Sequence, residues 1–100
     1  ILGHTNCGAI IGACDNIKLG HITSLMDKIK PAIETETQTV SNRNGNNSKF
    51  VKNVAVNNVN ITVEGIRNRS EILSLMEREN NIKIIGGLYD VETGKVNFYE

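Results

Sequence analysis

A histidine and a cysteine stand three residues apart in the opening stretch ILGHTNCGAI, His4 and Cys7. Imidazole nitrogen and thiolate sulfur together suit zinc, a borderline-soft ion that accepts both donors. The apolar residues 1–3 read as the tail of a buried strand, and GHTNCG as the turn from that strand into a helix. In open α/β sheets ligands bind at the carboxyl ends of strands. A thiol at the start of a helix also has its anion favoured by the free N–H groups there. Gly3 and Gly8 are expected to let the backbone turn tightly around the pair. Against this, H-x-x-C recurs by chance, and free Cys is among the most buried residue types. Two ligands also fall short of the three that a catalytic zinc takes from protein. Spacing alone leaves a metal site and a packed pair both open.

Other residues able to do chemistry add little. Cys14 lies seven residues beyond Cys7, two helical turns or about 10.5 Å along an axis. Zinc–sulfur bonds of about 2.3 Å do not span that, so Cys14 reads as a core thiol. His21 reads as a surface or capping histidine. Asp15, Asp27 and Asp90 are scattered without a spacing that signals acid–base work, and Arg67 and Arg69 read as a solvated helix face. The Gly86–Gly87 pair suggests close backbone approach or a bulge. The N-x-S/T triplets at 46–48, 60–62 and 68–70 are glycosylation acceptors only in a secreted eukaryotic protein, which nothing else in the sequence indicates.

The elements that must position these residues follow from periodicity. Ala9, Ile10, Ala13, Cys14 and Ile17 recur at helical spacing, predicting a short helix that ends before Gly20. Ile22, Leu25, Met26, Ile29 and Ile33 form the cleanest helical stripe, with Pro31 expected to bend or end it. Residues 41–49, SNRNGNNSK, read as an exposed polar loop. Over 50–69 a helical face competes with the strand-like alternation of VNITV, and length favours one long helix. Ser70 is placed to cap a following helix that carries Ile72, Leu73, Leu75 and Met76. Residues 82–91 read as a buried strand, ETG at 92–94 as a hairpin turn, and KVNFY at 95–99 as the returning strand. The order predicts a single α/β domain over 1–100, three-layered, with a mostly parallel sheet, flanking helices and an antiparallel edge strand. Two strands and an edge make a narrow sheet of this type. Strands preceding Ile1 are therefore expected to complete it.

Composition limits the function classes. The 100 residues are 39% hydrophobic, and eleven basic residues balance eleven acidic ones. That balance argues against nucleic acid or an anionic membrane as the main partner. No apolar run approaches the length of about 20 residues needed for a membrane span. Two cysteines do not make a disulfide framework.

With these residues in view, the chain resembles the β-class carbonic anhydrases. ILGHTNCGAI is similar to that family's second zinc-ligand motif, a strand followed by G-H-x-x-C-G-A. LGHITSLMDKIKPAI at 19–33 resembles a family helix leading to a Pro-Ala pair, here Pro31–Ala32. VNNVNITVEGIRNRSEIL at 56–73 resembles its long helix with Asn58–Val59, and IKIIGGLYDVETGKVNFY at 82–99 its strand, Tyr-Asp, hairpin and return strand. The likeness is collinear over nearly the whole chain. It implies reversible hydration of CO2 to bicarbonate by a hydroxide on Zn2+, with the metal held by two Cys and one His. His4 and Cys7 would then be the His and the second Cys. The family's first Cys and an Asp–Arg dyad lie in a C-x-D-S-R motif on an earlier strand, and this sequence contains no such motif. No catalytic residue of the dyad therefore falls in this chain. The expectation is a partial domain, inactive alone, from a parent zinc lyase; the competing reading is a non-catalytic homologue that folds or dimerises without a complete zinc site. The resemblance also implies a homodimer or higher oligomer, and it leaves cytoplasm and periplasm both open.

Overall fold

A computed structural model describes residues 1–18 and 20–99. Leu19, the first residue of the 19–33 stretch, and Glu100 lie outside the described residues. Among the described residues the elements run β1 (Leu2–His4), α1 (Gly8–Cys14), α2 (Ile22–Glu34), α3 (Ser48–Arg69), α4 (Glu71–Arg78), β2 (Gly86–Tyr89) and β3 (Val96–Tyr99). The sheet order is β1-β2-β3. β1 and β2 are parallel, pairing Leu2 with Gly87, Gly3 with Leu88 and His4 with Tyr89. β2 and β3 are antiparallel, with Gly86 opposite Tyr99 and Tyr89 opposite Val96. The α/β class, the parallel pair and the antiparallel edge strand are as the sequence predicts.

The long helix over 50–69 also forms, as α3, and takes in VNITV. Its face carries Phe50, Val51, Val54, Ala55, Val59 and Val63, all buried, and this continuous apolar stripe overrides the local β preference of its Val and Ile residues. Asn47 caps it by accepting the Phe50 N–H at 3.2 Å. Ser70 caps α4 as expected, accepting the Leu73 N–H at 3.2 Å. α3 lies across β1 and β2 and touches α1, α2 and α4 as well, so the core is built around it.

Gly86 and Gly3 account for how closely α3 approaches the sheet. A Cβ on Gly86 would sit 2.6 Å from Val59 Cγ1, and one on Gly3 would sit 2.7 Å from Val59 Cγ2. The close backbone approach read from the Gly-Gly pair is thus a helix seated on the strand. Because Val59 is stiff at χ1, Gly86→Ala should cost about 1–3 kcal/mol by overpacking. Adding Val59→Ala should recover part of that loss. Urea unfolding of the two single variants and the double checks this, and simple additivity would contradict it.

Several boundaries differ from the reading of the sequence. α1 stops at Cys14 rather than reaching Ile17, because Asn16 adopts a left-handed conformation (φ 55°). The Ile17 N–H then bonds to the Gly12 carbonyl at 3.0 Å, a typical way to close a helix. Pro31 does not end α2, which runs on to Glu34. Its missing donor frees the carbonyl one turn back, at Asp27, and both residues lie on the exposed face where water can serve that oxygen. β2 is shorter than 82–91. The Ile84 N–H is taken by Glu77 Oε2 at 3.0 Å and its carbonyl by Arg67 at 2.9 Å, so side chains replace a strand partner there.

Arg67 is accordingly bound into the fold and only partly solvated. It also grips both Glu77 oxygens, at 2.7 and 2.9 Å, and pairs with Glu64. Arg69 remains on the exposed face, bonded to the Gly65 carbonyl at 3.2 Å. The polar loop is anchored too. Arg43 reaches back to the Glu36 carboxylate at 3.1 Å and the Ile33 carbonyl at 2.9 Å, and Ser48 already belongs to α3.

Candidate functional site

His4 is the last residue of β1 and Cys7 the N-cap of α1, so strand end and helix start deliver the two side chains to one place. The turn between them is not made by glycine. Neither Gly3 nor Gly8 adopts positive φ; Asn6 does, at 54°. Asn, with its short polar side chain, tolerates the left-handed region better than most residues, and here Asn6 Nδ2 reaches across to Glu92 Oε1 at 3.5 Å. Thr5 fastens the turn to the neighbouring strand. Its N–H donates to the Tyr89 carbonyl at 2.9 Å, and its hydroxyl accepts the Val91 N–H at 3.1 Å.

His4 Nδ1 lies 2.8 Å from the Thr5 carbonyl. A carbonyl only accepts, so Nδ1 is the nitrogen that donates here and Nε2 is the one left to face a metal, the arrangement in which metal-binding imidazoles are held. Cys7 makes no side-chain capping bond to α1 and is half-buried. Both groups line a cleft of about 390 Å³. Its floor is apolar, with Ile10, Val51, Ala55 and Leu88, and its rim carries Asp90 and Glu92 as well as Lys49 and Lys52.

An imidazole nitrogen and an uncommitted thiol at one strand–helix junction fit zinc by donor chemistry. They supply two donors, and among the described residues no group of three or more His, Cys, Asp or Glu is placed to hold a metal. Cys14 does not join them. It is buried in the core, and burial, with help from the nearby Asp15 charge, pushes its thiol up to about 11. It stays protonated at neutral pH and packs as a small apolar group. His21 is exposed at the N-cap of α2 without a capping bond from its ring.

Spacing did not reveal the α3 wall of the cleft or the two carboxylates on its rim. Asp90 organises the β2–β3 turn. Its Oδ1 accepts the Glu92 N–H at 2.9 Å, its carbonyl accepts the Gly94 N–H at 2.8 Å, and Gly94 has φ 75°. The D-x-x-x-G spacing is the signal that could have marked this turn.

The chain matches the carbonic anhydrase family model over residues 1–96. Among solved structures it is similar to the β-carbonic anhydrase CafA of the fungal pathogen Aspergillus fumigatus, with 27% identity and a TM-score of 0.80, covering 100% of this chain and 47% of that one. It is also similar to the β-carbonic anhydrase CcaA (14% identity, TM-score 0.76, 100% and 45% covered). A mutant form of the β-carbonic anhydrase CafD of Aspergillus fumigatus matches as well (17% identity, TM-score 0.65, 100% and 55% covered). At their lower identities the last two speak for the fold alone. The chain thus spans about half the length of the structures it matches. No match was found among curated proteins.

Proposed function

The chain belongs to the β-carbonic anhydrase family, and from that premise we propose that His4 and Cys7 are two of the three protein ligands of a catalytic Zn2+ in reversible CO2 hydration. The observation that carries this is the His4 Nδ1 hydrogen bond to the Thr5 carbonyl, which leaves Nε2 to face a metal in a cleft that an uncommitted thiol also lines. When bound, zinc supplies a Lewis acid that makes hydroxide available near neutral pH. The chain's own residues do the rest that can be assigned here. The Thr5 carbonyl fixes the His4 tautomer, Cys7 contributes a thiolate, and Ile10, Val51, Ala55 and Leu88 form an apolar floor suited to an uncharged gas. The third protein ligand and the groups that orient the hydroxide come from outside these 100 residues, so the isolated chain is inactive. Assembly into dimers or larger oligomers belongs to the same proposal.

Zinc titration followed by metal analysis and a CO2-hydration assay tests this on the 100-residue chain, and on the chain joined to a segment bearing C-x-D-S-R. The isolated chain should bind zinc weakly and leave hydration at background, whereas the joined form should bind one equivalent and be active. In the joined form Cys7→Ser should lower zinc affinity by more than the roughly 10–100-fold that loss of a supporting hydrogen-bond partner costs. Undiminished zinc binding in that variant would overturn the ligand assignment. Activity of the isolated chain would overturn the division of the site.

A further inference from the structure

The loop before α3 contains the sequence's one Asn-Gly pair, Asn44–Gly45. Such a pair is chemically the most vulnerable amide in a chain, because a glycine nitrogen meets no side-chain obstruction when it attacks the neighbouring carboxamide. Gly45 is there for space and not for its φ, which is not positive. A Cβ at this position would sit 2.8 Å from Asp15 Cγ and 2.9 Å from Ile11 Cγ2. The close fit brings the nitrogen under control. The Gly45 N–H donates to Asp15 Oδ1 at 2.6 Å, tying the loop to the C-cap of α1. The Asn44 side chain is engaged as well, its Oδ1 accepting the Asn46 N–H at 2.9 Å, and the Asn47 N–H closes the turn onto the Asn44 carbonyl at 3.2 Å.

We propose that Asn44–Gly45 is a latent modification site, a succinimide-forming pair held unreactive by the Asp15–Gly45 hydrogen bond, so that loosening of the α1–loop contact is recorded as deamidation on the rim of the His4–Cys7 cleft. In the reaction the Gly45 nitrogen loses its proton to solvent base and bonds to Asn44 Cγ. The Cγ–Nδ2 bond breaks and ammonia leaves. Water then opens the ring to aspartate or to the isoaspartyl linkage. Asp15 opposes the first step twice. It keeps the N–H occupied, and its negative charge disfavours a developing nitrogen anion beside it. The product would matter locally. It adds a negative charge next to Asp15, and the isoaspartyl form inserts a backbone carbon where Gly45 lines the cleft.

The test is peptide mapping by mass spectrometry of the full chain incubated at mildly alkaline pH. Wild type is followed folded and in urea, alongside Asp15→Ala, Asp15→Asn and Asn44→Gln, with circular dichroism on each. Folded wild type should convert at 44 at least about tenfold more slowly than the urea-unfolded chain, the ratio set by a charge-assisted hydrogen bond. Folded Asp15→Ala should approach the unfolded rate. Asp15→Asn, which keeps an acceptor oxygen without the charge, should fall between, and Asn44→Gln should remove the product. If Asp15→Ala does not fold, Asp15→Asn decides. Equal rates in folded and unfolded wild type overturn the proposal, as does a folded Asp15 variant that converts no faster than wild type.

Discussion

Phe50→Ala should destabilise the fold by about 3–5 kcal/mol, the usual cost of emptying a fully buried aromatic site. Phe50 is 0% exposed and sits in the first turn of α3, where Asn47 caps the helix. It belongs to one core cluster with Ile10, Ala13 and Cys14 of α1, Ile29 and Ala32 of α2, and Leu88 of β2. Truncation therefore removes a contact shared by several elements, and collapse around the void would have to move several of them. The ring also supports the Arg43 guanidinium, 4.7 Å from its centroid, and that cation–π contact is lost with it. A domain of this size has about 5–15 kcal/mol of total stability, so the variant should be partly unfolded near physiological temperature. Phe50→Leu, which keeps most of the volume, should cost far less. Urea unfolding with the slope held as a control reads both. A Phe50→Ala midpoint close to that of wild type would show that the α1–α2–α3 junction is not where the core is held.

How much of this was legible before folding depends on what kind of interaction decides each feature. The α3 stripe from Phe50 to Val63 and the Ser70 cap were legible because they are local and periodic. Their positions along the chain carry the information. The placement of His4 and Cys7 at a strand–helix junction was legible for the same reason. What was misread was set by partners remote in sequence. Arg67 looks like one more charge on a helix until Glu77 and the Ile84 carbonyl fold back onto it, ten and seventeen residues on. The Gly86–Gly87 pair does announce a close approach, but not that Val59 is what approaches. Gly3 and Gly8 draw attention at the turn into α1, yet Asn6 makes the left-handed step, which Asn and Gly can both take. A third zinc donor could not be read by any such means, since among the described residues none stands beside the pair.

Glu36 likewise depends on partners that folding brings to it, and its replacement should be felt most at neutral pH. Glu36 is 4% exposed, yet it is ionised. Burial alone would push its carboxyl up, but hydrogen bonds from the Thr39 hydroxyl and N–H, Asn53 and Arg43 outweigh that and hold it at about 2, below its ordinary 4.5. The distances are 2.6 Å from Thr39 Oγ1, 3.1 Å from the Thr39 N–H, 2.9 Å from Asn53 Nδ2 and 3.1 Å from Arg43. Of these partners only the Thr39 hydroxyl can also accept, so Glu36→Gln is not conservative: its NH2 finds at most that one acceptor among groups that otherwise only donate. Glu36→Ala takes the carboxylate away from the Asn53 amide and the Thr39 N–H, and strips Arg43 of its counter-charge while leaving it the Glu36, Thr39 and Ile33 carbonyls. Taking a buried acceptor from its donors costs about 1–3 kcal/mol, and Glu36→Ala should lose that much at pH 7. The pH dependence has a fixed sign. A carboxyl depressed in the folded state contributes its full stability above the unfolded value of about 4.5. That contribution fades as pH falls toward about 2, where the folded state protonates too. Glu77 is also held at about 2 by Arg67 and the Ile84 N–H, and it weakens the protein over the same window. The difference between wild type and Glu36→Ala isolates Glu36 from that background. In urea unfolding from pH 7 to pH 2 this difference should be large and flat at neutral pH, then narrow steadily below about pH 4.5. A difference that stayed constant to pH 2 would mean that the Glu36 carboxyl titrates alike in the folded and unfolded chain, and that the donors around it do not hold it ionised.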